Sequence, residues 1–495
     1  MHVLTALYTR IRTSPRRLRS ATSVGAAGIL SLPLVATILI VGLTFSSCGD
    51  SDGSCDTATP WVAGQALSSI EARDPLGYLD RRGIIHSHSH YSHDACDGNP
   101  VVDGVRDEQC FDDLRRGMCQ TRHDFMMLTD HPADFREAPF ELALLHREAR
   151  GDRFVRRNGN PMASWAACPD DDPILVLAGS ESRNVMAVGL EGHVAESVAE
   201  RSAVYNSTAP EDAARLRNQG AVVLLSHPED WSVEELMARD IDGFEMYNLH
   251  ANLLQREAFA KAGVLLRRLA VNDPGLPHPD LSLLALINED PRYLLRWGSV
   301  LARGKKQVTI FATDAHRNSL PPLMQDGERV DSYRRMLLWF SNHLLIETER
   351  DGSWDDRHLK QALRAGRLYG AFEVMGYPEG FSYYAAAGST RTPMGSDVAL
   401  ADQPTLRVRQ PSVRNLDPTR TAPVLQTRLL RAVEGGFVEV ASADGDIDFV
   451  PQEAGAYRAE VRMVPHHLRE DFGSDADTML AKDFVWIYSN PIYVR

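Results

Sequence analysis

Between about residue 80 and residue 375, short apolar and β-branched runs alternate with stretches whose apolar positions recur at helical spacing. The runs are Gly83-Ile84-Ile85, Phe125-Met126-Met127-Leu128, Ile174-Leu175-Val176-Leu177, Ala221-Val222-Val223-Leu224-Leu225, Gly243-Phe244-Glu245-Met246 and Val308-Thr309-Ile310-Phe311. Apolar strands separated by helices predict a parallel sheet covered on both faces, hence a barrel or an open α/β sheet. The residues at the C-terminal end of each run choose between them. The strands lead into His86, Thr129-Asp130-His131, Gly179-Ser180-Glu181, Ser226-His227, Tyr247-Asn248 and Thr313-Asp314-Ala315-His316. Ligand-capable residues at one strand end after another predict the active-site face of a βα-barrel.

A helical stripe of Leu359, Ala362 and Leu363 stops at Gly366, and beyond it the pattern becomes alternating strands without helices between them. Examples are Leu406–Arg409, Phe437–Val440 and Tyr457–Val461. Glu453-Ala454-Gly455-Ala456-Tyr457 looks like the tyrosine corner of immunoglobulin-like sandwiches. The expected fold class is therefore α/β: a barrel over residues 77–375 and a C-terminal all-β immunoglobulin-like sandwich over 376–495. Longer connections near 133–170 and 250–300 are expected to form helices and loops over the ligand face and to choose the substrate.

The chain begins differently. Arg10, Arg12, Arg16, Arg17 and Arg19 precede an apolar run from about Val24 to Phe45, which ends in Ser46-Ser47-Cys48. Residues 1–47 thus read as an export signal, and they resemble a bacterial lipoprotein signal, which implies lipidation of Cys48. An uncleaved membrane anchor and plain secretion are the alternatives, and all three export the body. Residues 48–76 carry little apolar periodicity and are expected to be a tether. The implied location is the cell envelope, lipid-anchored to a membrane and facing the periplasm or the exterior. In an oxidising compartment two disulfides are expected among Cys96, Cys110, Cys119 and Cys168, with the connectivity open and Cys55 left over.

Composition narrows the partners. The 495 residues are 43% hydrophobic and 24% charged, which excludes wholesale disorder. The net charge is −14, and the acidic body disfavours nonspecific nucleic-acid binding.

The tract His86-Ser87-His88-Ser89-His90-Tyr91-Ser92-His93-Asp94 starts at the end of the first strand. Alternate residues of an extended chain face one way, so His86 and His88 can face one point, with His90 as a further candidate and His93 brought round by the following turn. Taken alone, the tract could be a solvated loop with adventitious metal affinity. Together with His131, Glu181, His227, Asp314 and His316 it exceeds the needs of one four- to six-coordinate ion, so a cluster of two or three metals is expected.

These residues resemble the PHP family, the polymerase and histidinol phosphatase type of metal-dependent phosphoesterase. The matching motifs are Ile85-His86-Ser87-His88 with Tyr91-Ser92, Leu128-Thr129-Asp130-His131, Gly179-Ser180-Glu181, Leu225-Ser226-His227-Pro228 and Thr313-Asp314-Ala315-His316, in order over about residues 80–320. The resemblance implies a distorted seven-stranded (β/α) barrel holding two or three divalent ions (Zn, Mn or Fe). It implies one ion on His86, His88, Glu181 and Asp314, a second shared by Glu181 and His227, and a third on His131, His316 and His93. The family more often has Asp where His93 stands, and Asp94 is the alternative. It also supplies a histidine between the Glu181 motif and His227; His193 is the candidate and Asn184 the other residue the register permits. The amidohydrolase barrel also opens with His-x-His, but no lysine occupies a strand end here and the last strand presents Asp-x-His.

The expected activity is hydrolysis of a small organic phosphate ester by metal-activated water, with no side-chain nucleophile. Arg183 and Arg317 are the candidate phosphate contacts. The competing expectation is a catalytically silent, metal-binding barrel whose β-sandwich binds a cell-envelope carbohydrate or protein.

Overall fold

The computed structural model describes residues 59–170, 172–253, 275–284 and 289–495. The expected export signal, Cys48, Cys55 and residues 48–58 of the expected tether lie outside the described residues.

Seven strands close a barrel: β1 (Leu79–Ser87), β2 (Phe125–Met127), β3 (Ile174–Glu181), β4 (Met186–Leu190), β5 (Val222–Leu225), β6 (Gly243–Asn248) and β7 (Val308–Ala315). β1 runs parallel to β2 and β7, β2 to β3, β5 to β6, and β6 to β7. β4 is antiparallel to both neighbours, β3 and β5. The barrel is therefore mixed, not a run of repeated βα units. The cause is local: Ser182–Val185 form a tight turn in which the Ser182 amide donates to the Val185 carbonyl at 2.9 Å. Four residues cannot make a parallel crossover, so the chain returns as a hairpin.

Strand alternation sorts the side chains into two layers. Ile85, Phe125, Met127, Leu175, Leu177, Met186, Val188, Val222, Leu224, Val308 and Ile310 meet in one cluster, which strands from around the ring can do only inside the barrel. Their sequence neighbours Ile84, Met126, Val176 and Val223 pack outward against α1 (Glu108–Thr121), α2 (Pro291–Ala302) and other covering elements. Leu359, Ala362 and Leu363 of α3 (Asp356–Arg364) join the interior cluster, and the helix ends before Gly366, whose φ is +69°.

The sheet does not stop at the barrel. β8 (Ser341–Ile346) runs antiparallel along the first half of β1, β9 (Leu368–Ala371) pairs with β8, and Phe484–Ser489 pairs with β9. Hydrogen-bonded strands thus cross the expected domain boundary at 375/376, and Pro60–Arg495 forms one compact unit. The expected tether is also shorter than 48–76. Trp61 and Ala63 are buried, and Arg82 and Arg414 donate to the Leu67 and Ser68 carbonyls. The C-terminal residues form strands in two groups: an antiparallel four-stranded sheet of Thr390–Pro393, Ser382–Ala387, Thr405–Arg409 and Ile447–Phe449, and the continuation of the barrel sheet. The Tyr457 hydroxyl donates to the Glu453 carbonyl at 2.7 Å.

At the opposite end of β1 from the ligand residues, a buried network joins Asp80, Arg82, His343 and Glu373. Burial opposes the His343 imidazolium, but Asp80 at 3.0 Å and Glu373 at 3.2 Å outweigh it and push the group up to about 9. Burial opposes the Glu373 carboxylate too, and Arg82 at 3.0 Å with His343 outweighs it, holding the carboxyl down to about 2. The raised His343 value stabilises the fold fully below about pH 6.5, and that stability is lost as pH rises through about 9. The lowered Glu373 value acts above about pH 4.5 and is lost as pH falls through about 2.

Two outcomes are expected. His343→Gln lowers stability by on the order of 2–3 kcal/mol at pH 6, and the gap narrows above pH 9, as read from urea midpoints; a gap independent of pH would contradict the network. Gly298→Ala places a Cβ 1.9 Å from the Gly436 carbonyl oxygen, where α2 meets the Gly435-Gly436 turn. The backbone must move, and we expect a loss of about 1–3 kcal/mol in the same assay, against no change if the approach is slack.

Candidate metal centre

The C-terminal ends of the parallel barrel strands, with the turns after them, bring the ligand-capable residues together. Three of these residues have left-handed backbones: His86 (φ 74°), His227 (φ 49°) and Asp314 (φ 52°). Each costs about 1 kcal/mol or more, a strain that concentrates at functional sites. In β1 it breaks the plain alternation after Ile85 and turns His86 toward Glu245. Asp130 anchors the His-rich loop by accepting from the Ser89 amide at 2.6 Å and the Ser89 hydroxyl at 2.7 Å.

One group consists of His86, His88, Glu181 and Asp314, all buried. The two Nε2 atoms lie 3.1 Å apart, each is 3.2 Å from Asp314 Oδ1, and they lie 3.7 and 3.6 Å from Glu181 Oε2. Ligand atoms placed 2.0–2.1 Å from a common tetrahedral ion stand roughly 3.3 Å apart, so the spacing suits a shared cation. A second group is His88, His131 and His316. Asp94 closes it, with oxygens 3.5 Å from His131 Nε2 and 3.5 Å from His316 Nε2. A third group is His250, Asp314 and His316, with His250 Nδ1 3.2 Å from Asp314 Oδ2. His227 Nε2 stands 3.6 Å from Glu181 Oε1 and 3.5 Å from Asp314 Oδ2.

The electrostatics match a cation site. Burial alone would lower the His86 imidazolium and raise the two central carboxyls; instead Glu245, Asp314 and Glu181 hold His86 well above its ordinary value, and Glu181 and Asp314 are held low by the imidazoles around them. Glu181 Oε2 and His316 Nε2 are buried without a hydrogen-bond partner. Buried polar atoms are rarely left so, and a divalent ion among these donors would satisfy both. The donor set of imidazoles and carboxylates suits zinc, manganese or iron.

Supporting contacts orient the ligands. Glu245, fully buried on β6, accepts from His86 Nδ1, and its other oxygen takes the His227 amide and the Asn248 side chain at 3.0 Å each. Ser92 Oγ lies 3.1 Å from His88 Nδ1, and Glu229 lies 3.5 Å from His227 Nδ1.

Several expected site residues stand elsewhere. His93 is exposed, its ring 5.3 Å from that of His131, and its neighbour Asp94 points into the cluster. Both ring nitrogens of His193 are engaged away from the cluster, by Tyr205 Oη at 3.0 Å and the Ala138 carbonyl at 2.8 Å, while the Asn184 side chain donates to Asn206. Arg183 is exposed, and Arg317 pairs with Asp113 at 3.0 Å.

Sequence reasoning missed His250, Glu245, Glu229 and Arg292. His250 carries a weak signal, two residues beyond a strand that ends Tyr247-Asn248. Glu245 was legible only as an acid within an apolar strand. Arg292 lies on α2, far in sequence from any strand end, yet it lines the open cleft of about 680 Å3 above Glu181, His227 and Asp314. The disulfides are Cys96–Cys110 and Cys119–Cys168.

Comparison of the sequence with protein-family models and curated proteins, and of the fold with solved structures, finds no match in any of the three.

Second contacts of this kind typically set metal affinity by roughly 10- to 100-fold. Glu245→Gln should weaken metal binding by about that factor in a chelator-competition titration, and His193→Gln should leave it unchanged. Equal affinities for Glu245→Gln and the wild type would remove Glu245 from the site.

Proposed function

We propose that this chain is an exported metal-dependent phosphoesterase that hydrolyses a small organic phosphate ester, the activity that its resemblance to the PHP family implies. The observation that carries this reading is the convergence of His86, His88, Glu181 and Asp314 at ligand spacing, with Asp94, His131, His227, His250 and His316 around them. Two or three divalent ions held there would supply Lewis acidity toward the phosphoryl oxygens and a water acidic enough to attack near neutral pH.

The chain's own groups do the holding and orienting. Glu245 and Ser92 fix the His86 and His88 rings, so the ligand nitrogens are set before substrate arrives. Arg292 lines the cleft and is half exposed, with its guanidinium held by Asp290 at 2.7 Å. It is better placed than Arg183 or Arg317 to meet an anion, and an already oriented guanidinium suits phosphate oxygens. Glu229 and the exposed Asp230 share that cleft and make its mouth acidic. Such a mouth favours a small ester over a polyanion.

Two finer readings belong with this proposal. The C-terminal strands suit an immunoglobulin-like sandwich, supported by the Tyr457 hydroxyl bond to the backbone four residues upstream. Export is supported by the two disulfides, which persist in oxidising compartments, while lipidation at Cys48 rests on the Ser46-Ser47-Cys48 end of the apolar run.

Elemental analysis of the purified protein should find at least two metal equivalents, and a panel of phosphomonoesters and diesters should include a substrate. His88→Ala and Asp314→Ala should each lower turnover at least about 100-fold. Metal without turnover of any ester would favour the silent barrel with an envelope-binding C-terminal region, and a wild type that binds no metal would end both readings.

A further inference from the structure

Asp94 is the candidate ligand farthest from a strand end. His86, Glu181 and Asp314 lie within barrel strands, His88 and His316 lie one residue beyond β1 and β7, and His227 and His250 lie two beyond β5 and β6. Asp94 lies seven residues past β1, in the loop that leads toward α1. Sheet hydrogen bonds place the strand ligands but cannot place Asp94, so its position depends on what ties down the loop.

The loop is tied at several points. The Asn318 side chain donates through Nδ2 to the Asp94 carbonyl at 2.7 Å. The Cys96 and Asp97 amides donate to the His316 and Arg317 carbonyls at 3.0 Å each, which joins the Asp94 loop to the segment that carries His316. Arg329 grips the Asp97 carboxylate with two nitrogens, at 2.7 and 2.8 Å. Cys96 and Asp97 both have left-handed backbones, with φ of 56° and 60°, a conformation that non-glycine residues keep only where their surroundings impose it. The covalent tie is the bridge from Cys96 to Cys110. Cys110 sits in the first turn of α1, where the Asp107 cap accepts from its amide at 3.0 Å. A residue two places from Asp94 is thereby fastened to a capped helix.

We propose that Cys96 and Cys110 are positioning residues of the metal centre. Their bridge fixes the loop that brings Asp94 within 3.5 Å of His131 and His316, so the metal position shared by those three residues is complete only while the bridge is closed. This inference rests on the metal-centre reading and adds that one position of the cluster depends on the redox state of the chain. The Cys119–Cys168 bridge joins the other end of α1 to the segment after the Asn160–Ala166 strand, away from the Asp94 loop, and serves as an internal control.

The test loads full-length wild type, Cys96→Ser/Cys110→Ser, Cys119→Ser/Cys168→Ser and Asp94→Asn with Mn2+. It reads bound equivalents by elemental analysis and the affinity of the weakest equivalent by titration, with folding checked by circular dichroism. The Cys96/Cys110 variant should match Asp94→Asn, with one equivalent weakened roughly 10- to 100-fold. The Cys119/Cys168 variant should match the wild type. Should the Cys96/Cys110 variant not fold, phosphine reduction of the folded Cys119→Ser/Cys168→Ser variant, which opens the Cys96–Cys110 bridge, should show the same selective weakening. Wild-type stoichiometry and affinity in the folded bridge variant, or in the reduced Cys119/Cys168 variant when it stands in, overturn this proposal and leave the metal centre intact. A metal-free wild type overturns both.

Discussion

Two carboxylates, Glu181 and Asp314, lie buried among the imidazoles of His86, His88, His131, His227, His250 and His316, and the rest of the structure answers to that arrangement. Buried carboxylates are costly unless positive charge and hydrogen bonds surround them. The barrel provides that surrounding by aiming one or two nitrogen donors inward from strand after strand. Left-handed backbone at His86, His227 and Asp314 is the local cost of bringing them to one point.

The two ends of β1 handle charge in different ways. At its start, Asp80, Arg82, His343 and Glu373 pair as ions that hold the strand against β8. At its end, imidazoles and carboxylates converge at a spacing that could hold a cation, with Glu181 Oε2 3.7 and 3.6 Å from His86 and His88 and His316 Nε2 3.5 Å from Asp94.

Precision at the site comes from two sources. Barrel strands and the few residues after them carry most of the ligand-capable side chains, and contacts from Glu245 and Ser92 orient the His86 and His88 rings. The Asp94 loop, and Arg292 on a helix packed against the Gly435-Gly436 turn, depend on contacts distant in sequence. The C-terminal strands also bear on the cleft, because α2, which carries Arg292, is wedged between them and the barrel. Trp297 of α2 packs edge-on to Phe437 and against the buried Arg458 guanidinium.

The sequence alone determined the strand runs and the polar residues that end them, because alternation and strand ends are local properties of a chain. His86, His88, His131, Glu181, His227, Asp314 and His316 were legible for that reason, as was the stop of α3 before Gly366. The tertiary structure decided what depends on how segments meet. The Ser182–Val185 turn reversed β4 and made the barrel mixed. The continuous sheet through β8 and β9 removed the boundary expected at 375/376, and burial of Trp61 shortened the tether. A difference of one residue in a loop put Asp94 in the cluster and left His93 outside. His193 went to Tyr205 and Ala138, while His250, two residues beyond β6, reached Asp314. Apart from that four-residue turn, these outcomes turn on contacts between groups tens to hundreds of residues apart, which no local pattern encodes.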